Sequence, residues 1–144
     1  LPDEVLELYK MGNGQAEDGL AIFRGMTLLS IDEIIRNWQQ MKTIKHKEMK
    51  LHKEGRVKPD YWNEKWLPIA ADAGNNFVCV DFDPALGGFK GQLIRVYTDA
   101  NIREYLAKTP KSYFAEQAAG LKAGQLKFDE YGYGPYTLEE LKKR

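Results

Sequence analysis

The sequence predicts an α+β domain in which a central antiparallel sheet, laid out as a meander, is flanked by helices. Three observations predict it. Helix-type patterning opens and closes the chain, strand-type runs are grouped between Trp66 and Leu106, and those runs follow one another closely. Helices, then strands, then helices is the order of an α+β fold and not of a βαβ-wound one. With 144 residues, 43% of them apolar, the chain can bury one sizeable core. No internal repeat or linker interrupts it, so residues 1–144 are expected to form a single domain.

Taken in order, Leu1, Val5, Leu8 and Tyr9 form one stripe of a short helix that Gly12-Asn13-Gly14 stops. Leu20 to Phe23 reads as a short strand. Ser30-Ile31-Asp32-Glu33 has the form of a capping box, with Leu29 and Ile34 at the staple positions. Ile31, Ile34, Ile35, Trp38 and Met41 continue the helical stripe. Residues 42–58 then carry seven bases against Glu48 and Glu54, a net +5, and too few apolar residues for a broad buried face. They are expected to be an exposed helix end and loop. Residues 59–84 reverse the sign, with five acids against Lys65.

The strand runs are Trp66 to Ala70, Phe77 to Phe82, Gln92 to Tyr97 and Ile102 to Leu106, rich in β-branched and aromatic residues. Turns are expected at Asp72 to Asn76 and Asp99 to Asn101, and a loop over Asp83 to Gly91, where Pro and Gly collect. Thr109-Pro110 suits a helix start, Phe114, Ala118 and Leu121 continue it, and Gly124 is placed to cap it. Thr137 to Glu140 can cap a last short helix.

Composition narrows the function. The 21 bases and 21 acids balance, so the basic excess that a dedicated nucleic-acid binder needs is missing. The local excess at 42–58 has no interleaved aromatics and reads as a solvated arm. The one cysteine, Cys79, lies in an apolar run and reads as a small buried hydrophobe, in keeping with a reducing compartment. No apolar stretch reaches the roughly 18 residues of a membrane span. No signal peptide pattern is visible, so a cytoplasmic location is expected. The chain opens on Leu1-Pro2 without Met, which leaves a preceding segment open.

No catalytic set emerges. Asp81-x-Asp83 could chelate a hard cation, but calcium loops need more oxygens at regular spacing, and the pair is expected to shape the Gly-rich turn. Gly87-Gly88-Phe89-Lys90-Gly91 lacks the Lys-Ser/Thr ending of a phosphate loop and precedes a strand, so it reads as a hairpin connection. His46 and His52 are six apart among lysines, a poor metal pair. Trp38, Trp62 and Trp66 are expected in the core, with groove lining left open for Trp62.

Tyr61-Trp62-Asn63-Glu64-Lys65-Trp66-Leu67-Pro68-Ile69-Ala70, then Asp72, the strand Phe77 to Asp81, Asp81-Phe82-Asp83-Pro84, Gly87-Gly88 and Gly91-Gln92 follow in a recognisable order. With Leu1-Pro2, Asn13-Gly14 and the helix from Ile31 to Trp38, this resembles the SUKH superfamily from residue 1 to about 124. That group includes fungal SMI/KNR cell-wall assembly regulators and bacterial proteins that neutralise polymorphic toxins. The resemblance implies an α+β fold and a binding role without catalysis, cofactor or metal. It points to an immunity protein for a nuclease or deaminase toxin, with a regulatory scaffold as the second reading. A protein partner is expected, and neither nucleic acid nor membrane. The acidic stretch would dock on a basic toxin face, through Tyr61, Trp62, Glu64, Asp72 and Asp83.

Overall fold

The computed structural model describes residues 26–43, 55–98, 100, 102–128, 130 and 135–143. The helix expected at Leu1 to Tyr9, the strand at Leu20 to Phe23 and both histidines lie outside the described residues, as do Asp99 and Asn101 of the second turn. In chain order the elements are β1 (Thr27–Leu28), α1 (Ile31–Lys42), β2 (Trp66–Ala71), β3 (Asn76–Asp81), β4 (Gln92–Tyr97), β5 (Ile102–Ala107), α2 (Pro110–Lys122), β6 (Leu126–Lys127), β7 (Tyr136–Thr137) and α3 (Leu138–Lys142). Strands β1 to β5 form one antiparallel sheet in sequential order, and β6 pairs with β7. The α+β meander is as the patterning predicts.

Local chemistry accounts for the element starts. Ser30 Oγ accepts the Glu33 N–H at 3.3 Å and the Glu33 carboxylate accepts the Ser30 N–H at 3.0 Å, closing the capping box of α1. Leu29 and Ile34 are both buried in one cluster, as a staple requires. Thr109 and Ser112 cap α2 reciprocally with Pro110 in its first turn, and Gly124 beyond its end has φ +73°, the left-handed conformation of a helix stop. Thr137 and Glu140 cap α3 in the same way.

Every residue of β3 is buried. The alternation of a strand explains how. Val78 and Val80 point into a cluster with Met26, Leu29 and Ile34 from the α1 side and Tyr113 from α2. Phe77 and Cys79 point into a second cluster with Met41, Val57, Trp62, Trp66, Ile94 and Val96. Both faces of the sheet are therefore covered, one by helices and the other by the segment through Val57 and Trp62 together with Met41 at the end of α1. That is why β3 reads as a continuous apolar run and not as an alternating one.

Candidate protein-docking face

At the end of the sheet where β3 hands over to β4, Asp81 and Gln92 are register partners. Both are fully buried. Gln92 Nε2 donates to Asp81 Oδ2 at 2.9 Å and to the Arg56 carbonyl at 2.8 Å, while Gln92 Oε1 accepts the Phe89 N–H at 3.0 Å. Asp81 Oδ1 accepts the Asp83 N–H at 2.8 Å. Two buried side chains thus tie together strand, loop and the incoming segment at Arg56. Burial pushes the Asp81 carboxyl above its ordinary pKa, against the hydrogen bonds from Asp83 N–H and Gln92 that favour its ionised form. The Trp66 indole N–H lies close enough to favour the carboxylate slightly, but outside good hydrogen-bond geometry.

The loop itself has no room for a side chain at Gly88. A Cβ there would lie 2.3 Å from the Arg56 carbonyl oxygen, 2.8 Å from Gln92 Oε1 and 2.9 Å from Pro84 Cβ. Glycine is needed here for close backbone approach, not for an unusual dihedral.

Next to this network, Lys58 Nζ sits 2.8 Å from Asp83 Oδ1. Asn63 Nδ2 donates to Asp83 Oδ2 at 2.9 Å and to Asp60 Oδ2 at 3.1 Å. The Lys58 hydrogen bond, then the Asn63 one, lower the Asp83 pKa, and the same bond to Asp83 raises that of Lys58. Lys58 was expected in the solvated basic arm; it is instead an ion-pair partner.

A residue that the sequence reading passed over secures the rest of the segment. Arg103 on β5 is 2% exposed. Its Nε donates to the Asp60 carbonyl at 3.0 Å, Nη2 to the Tyr61 carbonyl at 2.9 Å, and Nη1 to the Tyr97 and Ile102 carbonyls, both at 2.8 Å. Burial lowers its pKa from the usual value. Carbonyl dipoles, rather than a carboxylate bonded to it, solvate this charge among the described residues.

The residues expected to touch a partner are distributed unevenly. Tyr61 is half-buried and Glu64 exposed. Asp83 is partly exposed and, 20 residues further along the chain, is joined to this segment through Asn63. Trp62 is 4% exposed and lies edge-on to Trp66 and Phe77, with ring centroids 5.7 and 5.5 Å away. It supports the surface from beneath. Asp72 stands at the opposite end of β2, roughly 20 Å away at about 3.3 Å of rise per residue. Its carboxylate accepts the Gly74 and Asn76 N–H groups and the Asn76 amide, at 2.8, 3.1 and 3.1 Å, and so shapes the β2–β3 turn. Of the acids from 59 to 84, then, Asp60, Asp72, Asp81 and Asp83 are all engaged within the fold.

The described residues form an α+β arrangement with a sequential antiparallel sheet covered on both faces, in which Asp72, Asp81, Gln92 and Arg103 hold turns and loops in place. Among the described residues no cluster of three or more His, Cys, Asp or Glu could hold a metal ion, and no helix is long and apolar enough to cross a membrane. The chain belongs to the SMI1 / KNR4 family (SUKH-1), whose model matches residues 1–116. It is also similar to a "Glucan synthesis regulatory protein" of Neurospora crassa, 24% identical over 171 aligned positions that cover 90% of this chain and 32% of that protein. The chain therefore spans about a third of the length of that relative.

Proposed function

We propose that this chain is a non-catalytic, protein-binding immunity protein that neutralises a cognate toxin of nuclease or deaminase type by docking on it in the cytoplasm. The observation that carries this reading is membership of the SUKH-1 family over most of the chain, because the wider SUKH group contains such immunity proteins. The local structure supports a role in shaping rather than chemistry: Asp81, Gln92 and Asp83 make several internal hydrogen bonds. Tyr61, Glu64 and Asp83 form the proposed contact area with Trp62 as its foundation, and Asp72 offers a separate contact at the far turn. A second reading, a regulatory scaffold in cell-wall assembly, is favoured by the name of the Neurospora relative.

Co-expression with the toxin encoded beside its gene tests the first reading. Rescue of growth together with binding at micromolar concentration or tighter is the expected result. No rescue and no binding would end the immunity reading. Altered wall glucan on deletion of the gene would then support the scaffold.

A further inference from the structure

Leu86 is fully exposed, the most exposed large apolar residue described, and Phe89 on the same loop is 42% exposed. Isolated exposed leucines are ordinary on protein surfaces. This one differs because the backbone on either side of it is fastened. The Ala85 N–H donates to the Arg56 carbonyl at 3.2 Å, Gly87 N–H to the Gly55 carbonyl at 3.3 Å and Gly88 N–H to the Ala85 carbonyl at 2.9 Å. Phe89 N–H is held by the buried Gln92 amide, and Lys108 Nζ lies 4.8 Å from the centroid of the Phe89 ring. An apolar side chain is thus displayed in water from a loop with little freedom left to lose.

The surroundings are cationic. Arg56, whose guanidinium stacks 4.1 Å from the Tyr105 ring centroid, adjoins Gly87. Lys90 follows Phe89 in the chain, and Lys108 covers its ring. The carboxylates at the base of the loop do not offset them: Asp81 is buried and Asp83 is paired with Lys58. We propose that the β3–β4 loop, residues 82–91, is a preformed docking tip: Leu86 and Phe89, bordered by Arg56, Lys90 and Lys108, seat in an apolar socket rimmed by carboxylates on a partner protein. Preorganisation lowers the ordering cost of binding, an apolar anchor in a socket supplies affinity, and the surrounding charge supplies rate and selectivity. The inference rests on the protein-binding reading above. It specifies the partner's chemistry as acidic around an apolar pocket, in contrast to the basic partner face that the composition of residues 59–84 suggests.

A photo-crosslinking amino acid placed in the full chain at position 86, at 64 and at the α2 control position 116, in the native host, tests the surface directly. The protein crosslinked, or the toxin encoded beside the gene, is then purified as the probe. Crosslinking at 86 and not at 116 is expected. Leu86→Glu should weaken binding of that probe at least tenfold without changing Tm, and Lys90→Glu with Lys108→Glu should weaken it further at low salt than at high salt. Leu138→Glu, at another exposed leucine, should change neither. Crosslinking at 64 alone, or binding indifferent to Leu86→Glu, overturns this inference and leaves the protein-binding reading standing. Stronger binding after the charge reversal also overturns it. Absence of any adduct at 64 and 86 together with no binding of the neighbouring toxin overturns both.

Discussion

Gln92 Nε2 donates to Asp81 Oδ2 at 2.9 Å across the β3–β4 pair, and neither residue is exposed to solvent. The same amide reaches the Arg56 carbonyl and the Phe89 N–H, so one side chain satisfies groups from three parts of the chain. Removing one partner of a buried hydrogen bond leaves the other with its full desolvation cost, about 1–3 kcal/mol. Gln92→Leu keeps much of the volume and strands the Asp81 oxygen, the Arg56 carbonyl and the Phe89 N–H together. A loss of about 2–4 kcal/mol in urea denaturation is expected. A loss below about 1 kcal/mol would mean that water replaces the amide.

The Asp81 carboxyl also fixes the sign of one pH effect. Its folded pKa is raised by burial above the ordinary value of 3.8, so the folded state holds the proton more tightly than the unfolded one. Its contribution therefore favours the fold at low pH and declines as pH rises from about that value. Glu33 and Asp83 act in the opposite direction. Their pKa values are lowered, Glu33 chiefly by the Ser30 N–H and Asp83 chiefly by Lys58, so their stabilisation is present at neutral pH and lost on acidification. Asp81→Asn isolates the Asp81 part. The destabilisation caused by this substitution should be larger near pH 4 than at pH 7, measured by urea titration at each pH. A difference that grows towards neutral pH would contradict the assignment.

How far the chain could be read from its sequence depended on whether the cause was local. The capping boxes at Ser30 and Thr137 and the Pro110 helix start act within three residues and were legible. So was β4, whose run from Gln92 to Tyr97 has the same bounds in the structure. Strand β1 was not, because two residues carry no period and Thr27–Leu28 is a strand only through its pairing with Ala70 and Ala71. Lys58 and Asp83 are 25 residues apart, and Arg103 is 42 and 43 residues from the carbonyls of Tyr61 and Asp60 that it binds. Nothing local marks those contacts. An arginine between Ile102 and Glu104 reads as a solvent-facing residue until the fold closes over it.

Arg103 is accordingly a strong test of the long-range contacts. Its guanidinium fork donates in several directions at once, to carbonyls on the incoming segment and at the β4–β5 turn. Lysine offers a compact ammonium on a flexible stem and cannot span them. Arg103→Lys should cost about 2–3 kcal/mol, and Arg103→Ala more. The segment holding Tyr61 should also be cut faster by protease under native conditions, because its attachment to the sheet is weakened. Equal cutting rates in the wild-type and Arg103→Lys proteins would show that the other contacts of the segment, Trp62 and the Asp83 pairings among them, hold it without Arg103.

Tyr61 and Trp62 are adjacent, yet the structure gives them different work. Trp62 contacts Trp66 and Phe77 edge-on inside the second cluster, while Tyr61 is half-buried with the Arg103 guanidinium 5.7 Å from its ring centroid. Truncating a buried Trp removes a large apolar area and leaves a cavity, typically about 3–5 kcal/mol. A half-buried Tyr loses less area, together with a cation–π contact of about 1–2 kcal/mol to the buried Arg103 guanidinium. Trp62→Ala should therefore lower the urea midpoint at least twice as far as Tyr61→Ala. Trp62→Phe should recover much of the loss, because the Trp62 indole N–H has no hydrogen-bond partner among the described residues. If Tyr61→Ala proves the more damaging change, the segment is held chiefly by its outer face and not by the buried Trp62.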